Sequence, residues 1–581
     1  MLLAFLLTAP AFAELSVDAH TRLVLGGQDQ VSANLFGMTA FEGFPQVIHD
    51  RDYRARVAAL RPGCIRLAGS VLWCSPGEYD PTWYHTPDAL STFTQVLLFG
   101  DRYPTGRFLP VVRELGAEPM CQLAHPPPYL TQQGTGHPSD FARWAEYCAG
   151  YVGLWKQLDP HLRLVQIWNE PNASWYNDPR CAARAITDAE LHLEMANRVS
   201  AAIKARFPDL LVGGPVLCWP PGWPPNQQGL PPWYTFDKWT RPWLQGTRDT
   251  IDFFDFHVYD VSAQDFAVQT EMLHNEALLL QGRRLPIWIT ESNYNLAPED
   301  LDDPAAIWRK RVLPYERLLL RGILPQADKV DGNLYHDLHA RNHTLLPRDA
   351  DDPDPAYWLL WVLRDLRGTR LAADSTDPDL VCFATLEEDA VTLVVFNDGA
   401  AEKQIPLTVA LPPGWWTGPY VRAIGESAAG ACERLSLSFE PAHEPPGARG
   451  TLTLPPFATA SMTFRTSGFH EPANTRVVSE NFGDRTLQFL TGADPVIVQI
   501  GLPTPLPNSA SLRLGLLGPD GGEKLLADLN GRPVAVAPSA LQEVPLEAGA
   551  LAPTNTLTLR LAEPAANPRL ALAFASIVGT D

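Results

Sequence analysis

The sequence predicts a (β/α)8 TIM barrel followed by two antiparallel β-sandwich domains, an α/β chain with an all-β tail. Between residues 31 and 368, eight short apolar, β-rich runs alternate with amphipathic stretches of helical length. That alternation is the pattern of a parallel sheet wrapped by helices, and eight is the count that closes a barrel. Past residue 370 the helical period disappears, and alternating strands follow one another between Gly, Pro and Asp turns. A polar break near residues 466–475 divides this region into two series of strands.

Taken in order, residues 1–13 (MLLAFLLTAPAFA) form an apolar run ending in Ala11-Phe12-Ala13, a small-residue pattern that fits a secretory signal peptide. No Lys or Arg precedes it, so a misassigned start or a buried first strand are the alternatives. The candidate barrel strands are NLFGMTA from 34, CIRLAG from 64, PMCQLA from 119, LRLVQIW from 162, LLVGGPV from 210, IDFFDFHVY from 251, LPIWITE from 285 and DGNLYHDL from 331. Two helices between them carry explicit signals. Phe141, Trp144, Ala145, Cys148, Val152 and Trp155 form one apolar stripe, with Ser139 and Asp140 placed to cap it. Met195, Val199, Ala202 and Ile203 form another, ended by Pro208. The stretch from 218 to 232 reads as loop ahead of WYTFDKWTRPWL. The expected domains are the barrel over 14–368, a β-sandwich over 369–467 and a second over 471–581, which either binds glycan or braces the barrel.

The chain has 581 residues, 45 Lys plus Arg against 66 Asp plus Glu, and a formal charge of -21. Such an excess of negative charge repels a phosphate backbone and disfavours sulfated or uronic acid polymers, so nucleic acid is not an expected partner. No internal run is long enough to span a bilayer. The eight Cys include no CxxC pair, and a chain of this size needs no disulfide scaffold, so most are expected to be buried thiols. The 17 Trp, 15 Tyr, 24 Phe and 55 Pro suggest stiff loops carrying flat apolar surfaces.

Reactive side chains of such a barrel sit at the C-terminal ends of its strands. The fourth strand runs into Asn169-Glu170-Pro171-Asn172, and the seventh into Glu291-Ser292-Asn293. Two glutamates thereby face one cavity, the requirement of glycoside hydrolysis, although a strand-end Glu can also cap a helix or pair with Arg. The sixth strand ends FDFHVYD, where alternation sends His257 and Tyr259 to one face. Arg66 lies in the second strand, while His125 and His336 end the third and eighth. Trp73, Trp83, Tyr84 and His85 lie in the long segment after strand two; Trp219, Trp223 and Trp233 lie in the one after strand five. All are candidate sugar-stacking or hydroxyl-binding residues, with Trp73 and Trp219 foremost. No GxSxG elbow occurs, and neither a metal, a cofactor nor a serine nucleophile is expected.

WNEPN and WITES in these positions resemble the motifs of the retaining clan A glycoside hydrolases, over about residues 31–368. The resemblance implies Glu170 as general acid/base, Glu291 as nucleophile, Asn169 at the sugar 2-hydroxyl, and Tyr259 and Arg66 beside the nucleophile. On that assignment Glu291 is ionised at neutral pH, while Glu170 stays protonated long enough to donate and then acts as base toward water. Barrel, sandwiches and the HxY of strand six are similar to family 39 β-xylosidases and family 86 β-agarases or porphyranases, and the sequence does not separate them. The expected activity is hydrolysis of a neutral β-linked oligo- or polysaccharide, secreted or periplasmic. The rival is a non-catalytic carbohydrate-binding protein on a retained barrel, against which the paired glutamates speak. Sugar, linkage, exo or endo action and oligomeric state are not legible.

Overall fold

The computed structural model describes residues 14–580 except 27, 41–46, 48–49, 68–104, 127–129, 133–134, 176–177, 219–235, 340–342, 348–352, 412–415, 427–435, 444–445, 467–471, 483–487, 491–494, 503–505, 508, 518–523, 548 and 564–569. The expected signal peptide, Trp73, Trp83, Tyr84, His85, Trp219, Trp223, Trp233, Cys74 and Cys432 therefore lie outside the described residues.

All eight expected barrel strands form. They are β1 (Gly37–Thr39), β2 (Cys64–Leu67), β3 (Glu118–Leu123), β4 (Leu164–Ile167), β5 (Leu211–Leu217), β6 (Phe253–Tyr259), β7 (Ile287–Asn293) and β8 (Val330–Tyr335), parallel throughout and closed by β8 on β1. Alternation along each strand sorts the interior into layers. The lowest is apolar: Cys64, Met120, Leu164, Phe253, Trp288 and Leu334 pack together. Gly213 and Gly332 make room for it, because a Cβ at either would fall about 2 Å from the ring of Phe253 or Trp288 respectively. The next layer is polar, with Arg66, Gln122, Gln166, Asp255 and Thr290 all buried. Aliphatic residues are the usual filling at this height, so five polar side chains stacked there carry a function.

The outer helices follow the signals in the sequence. Phe141–Leu158 is capped by Asp140, which accepts from the Ala142 and Arg143 amides, and buries all six expected stripe residues. Asp188–Arg206 starts earlier than its apolar stripe, because Thr187 and Glu190 form a reciprocal capping box. Among the described residues no helix is long and apolar enough to cross a membrane. Cys64, Cys121 and Cys148 are buried free thiols, and Cys181, Cys218 and Cys382 are half-buried ones.

One assignment differs. Leu15–Leu25, expected at the head of the barrel, is a strand of the sandwich sheet: it runs antiparallel to Gly368–Ser375 and parallel to Lys403–Ala410 and Asn474–Phe482. Its alternation explains this, since Leu15, Val17 and Ala19 are buried on one face in the first sandwich core. The strand thus joins the two sandwich regions into one continuous sheet. The second region packs on barrel helix Ala263–Gln281 through Phe236, Val268 and Met272 against Leu517, Ala573 and Phe574. Buried Glu271 beside this contact is met by Lys329 at 2.9 Å and Arg513 at 3.1 Å.

The first sandwich meets the barrel at Glu316, which is fully buried; Thr459 donates to one oxygen, and the other has no partner among the described residues. Burial pushes this carboxyl up to about 8. The unfolded chain loses that proton near the ordinary value of about 4.3. The neutral form's contribution is therefore complete below about pH 4 and is lost as pH rises through about 8. Thermal melts should show Glu316→Gln gaining on the parent protein between pH 5 and pH 8 and levelling off above; a pH-independent difference would contradict the assignment.

Candidate active site

Each functional side chain is placed by the end of a strand. After β4 the backbone turns sharply into the short helix Pro171–Ser174, with Trp168 at φ 75° and Glu170 at φ 50°. Left-handed conformations at non-glycine residues cost free energy and persist where neighbours fix them. Here the Glu170 amide donates to Val216 O at 2.8 Å, Ser174 Oγ donates to Glu170 O at 2.8 Å, and Trp168 Nε1 donates to Ser174 Oγ at 3.3 Å. Trp175 packs edge-on against Trp168 at 5.2 Å.

Glu291, at the end of β7, is 7% exposed. Arg66 Nη1 donates to its Oε1 at 2.5 Å and Tyr259 donates to its Oε2 at 2.7 Å. His257 Nδ1 lies 2.8 Å from Glu170 Oε1 and 3.4 Å from Glu291 Oε2, so one ring nitrogen stands between the two carboxylates. One oxygen of each glutamate and a nitrogen of His257 all lie within 4.8 Å of one another. These three are the grouping with metal-ligating chemistry among the described residues; their mutual hydrogen bonds already engage His257 Nδ1.

The remaining expected residues surround this centre. Asn169 Oδ1 accepts from Arg66 Nη2 at 2.7 Å and Gln122 Nε2 at 2.9 Å, which leaves its Nδ2 protons as donors for a ligand. His336 Nδ1 meets Thr39 Oγ1 at 2.9 Å and lies 3.7 Å from Glu291 Oε2. His125 rests against Trp168 at 5.7 Å, beside the turn that carries Glu170. Burial lowers its pKa and favours the neutral ring.

The charge states follow from these contacts. Burial alone would push the Glu291 carboxyl up, but the positive potential of His257, His336 and Arg66 and the Tyr259 hydrogen bond hold it well below the usual carboxylate range. Burial and Glu291 together push the Tyr259 hydroxyl upward, so it remains a donor. Glu170 departs from the expectation that it stays protonated until it donates. Burial and the Glu291 charge raise its pKa, yet the His257 hydrogen bond and charge outweigh them and hold it below its ordinary value.

Sequence reasoning missed Gln122, Gln166, Asp255, Thr290 and Cys218. Asp255 alternates with His257 and Tyr259 along β6, so strand period alone could have found it. The Cys218 amide donates to Asn172 Oδ1 at 2.7 Å, and its thiol hydrogen-bonds Glu170.

The family model described as glycosyl hydrolase catalytic core matches residues 154–310, which contain both glutamates. A sequence search among curated proteins finds no match. A solved family 86 glycoside hydrolase in complex with neoagarooctaose is similar at TM-score 0.69 and 15% identity, covering 98% of this chain and 99% of its own. A β-porphyranase of glycoside hydrolase family 86 from the gut bacterium Bacteroides plebeius follows at 0.62 and 13%, covering 98% and 100%. A monomeric β-xylosidase from Caulobacter crescentus CB15 aligns at 0.52 and 15%, covering 78% and 99%. Residues 154–310 thus match a glycosyl hydrolase catalytic core, within a fold of barrel and appended β-sandwiches shared with solved glycoside hydrolases.

Tyr259→Phe removes one charge-assisted hydrogen bond from Glu291, an interaction worth about 1.5–3 kcal/mol. It should lower kcat/KM about tenfold or more and move the acid limb of the pH profile upward; an unchanged acid limb would contradict the role of Tyr259.

Proposed function

We propose that this protein is a retaining glycoside hydrolase that cleaves β-linked, neutral polysaccharide by double displacement, with Glu291 as nucleophile and Glu170 as acid/base. The observation that carries the reading is the pair of carboxylates bridged by His257 Nδ1, with an oxygen from each within 4.8 Å of the other. Retaining enzymes place their carboxyl groups about 5–5.5 Å apart, and inverting ones about 6.5–9.5 Å to admit a water. The short approach supports direct attack.

Glu291, already ionised, attacks the anomeric carbon. Glu170 supplies the proton to the departing oxygen through its hydrogen bond with His257, so the proton held by this pair passes outward as the leaving group gains charge. Esterification then removes the Glu291 charge that pushes the Glu170 carboxyl upward. Glu170 is left as the carboxylate that activates water for the second displacement. Asn169, its oxygen held by Arg66 and Gln122, offers its amide protons to the sugar's 2-hydroxyl.

For the substrate, the likeness to the family 86 structures spans 98% of this chain, whereas that to the β-xylosidase spans 78%. The shared arrangement of barrel and sandwiches favours an extended neutral galactan of the agarose type over a xylan. The chain has no Trp and no Tyr beyond Tyr420, so the last β region lacks the residues that supply the largest stacking platforms. It acts as a brace on helix Ala263–Gln281 and Phe236. Export through the apolar segment 1–13 would bring the enzyme to such a polymer.

Incubation with agarose, neoagaro-oligosaccharides, xylan and aryl β-glycosides, with product sizing, should reveal cleavage of the galactans. Glu170→Gln should lose about 10²- to 10⁴-fold on natural linkages and much less on aryl glycosides with good leaving groups. Equal losses on both substrate types, or undiminished activity, would sink the acid/base assignment.

A further inference from the structure

We propose that Asp255, on the floor of the site, is a positioning residue that ties the acid/base and the nucleophile to one another. It rests on the assignment of Glu170 and Glu291 above. Asp255 is fully buried on β6, two residues below His257, and each of its oxygens serves one glutamate.

The first arm runs through side chains. Gln166 Nε2 donates to Asp255 Oδ2 at 2.5 Å, Arg66 Nε donates to Gln166 Oε1 at 2.6 Å, and Arg66 Nη1 donates to Glu291 Oε1 at 2.5 Å. The second runs through the backbone. The Val216 amide donates to Asp255 Oδ1 at 2.8 Å, and Val216 O accepts the Glu170 amide at 2.8 Å. Val216 and Glu170 are both left-handed, at φ 60° and 50°, so this arm holds two uncommon conformations together.

The chemistry of the ends fixes the direction of the first arm. An arginine only donates, and an ionised carboxylate only accepts. Gln166 between them therefore has one usable orientation, with its oxygen toward Arg66 and its nitrogen toward Asp255. Thr290 Oγ1, which accepts from the same Gln166 nitrogen at 2.8 Å, reinforces it. Burial pushes the Asp255 carboxyl up only to about 6, so at neutral pH both of its oxygens are acceptors.

Asp255→Asn keeps the shape but leaves one acceptor oxygen where two are needed. Either the Val216 amide or the Gln166 nitrogen then faces a donor, and a Gln166 flip only passes the conflict to Arg66. Asp255→Asn combined with Gln166→Glu reverses the middle link: the new amide donates to the new carboxylate, which accepts Arg66 Nε on its other oxygen. The net charge matches the parent protein.

The test uses the full-length chain and whichever glycan or aryl glycoside the parent hydrolyses. Asp255→Asn should lower kcat about 10- to 100-fold, the scale of a misplacement of about 1 Å, and change KM less than about threefold. The double variant should regain at least about half of that loss on a logarithmic scale. A crystal structure of Asp255→Asn reads the same point without substrate: the Arg66–Glu291 or the Val216–Glu170 contact should open. Both contacts intact, a double variant no better than the single one, or a loss confined to KM or to melting temperature would overturn the proposal. Should the parent cleave no sugar, the glycosidase reading fails on its own, and the crystal structure still decides whether Asp255 holds both glutamates.

Discussion

A guanidinium taken fully out of water is costly unless its donors are met, and the site depends on how Arg66 meets this demand. Its three nitrogens reach Gln166 and Asn169, in and just past β4, and Glu291 at the end of β7. Removing any of these partners would leave a buried charge under-satisfied, so the positions of β2, β4 and β7 are mutually enforced. The same contacts hold Glu291 ionised and turn Asn169 so that only its amide protons remain for a ligand. Structure and chemistry thus share one set of hydrogen bonds.

The apolar layer beneath and the polar layer above divide the work. Phe253 and Trp288, seated over Gly213 and Gly332, close the lower end of the barrel and keep water from the buried charges. Above them Gln122, Gln166, Asp255 and Thr290 set the direction of each hydrogen bond. Glu170 occupies the exposed rim of this arrangement, with its side chain 29% exposed, which suits its proposed role of exchanging protons with both sugar and water. Its strained turn is fixed from β5, from the Trp168–Trp175 pair and by Ser174 of the short helix that follows it.

Much of this was legible in the sequence, for physical reasons. Barrel strands are buried on both faces and announce themselves as apolar runs, and the eight runs became β1–β8. Asp140 marked a helix start because a carboxylate satisfies amides left open there. Glu170, Glu291, His257 and Tyr259 were visible because strand ends face the cavity, Arg66 through the clan A resemblance, and the structure brings all five together. The rest of the polar layer was not read: strand period points to Asp255, but nothing in a strand interior tells a satisfied Gln122, Gln166 or Thr290 from an error of pattern until its partners from other strands are known. Strand Leu15–Leu25 was missed because partners far along the chain, from Gly368–Ser375 onward, decide which sheet it joins. Resting ionisation of Glu170 also depended on such a contact, the 2.8 Å approach of His257.

Double displacement requires the two glutamates to stand close enough for direct attack by Glu291. Proton NMR of the first product released from a cleaved β-glycoside, recorded before mutarotation, tests it most directly. Double displacement gives the β anomer as the initial product. An initial α anomer would mean single displacement by water and would contradict the role given to Glu291.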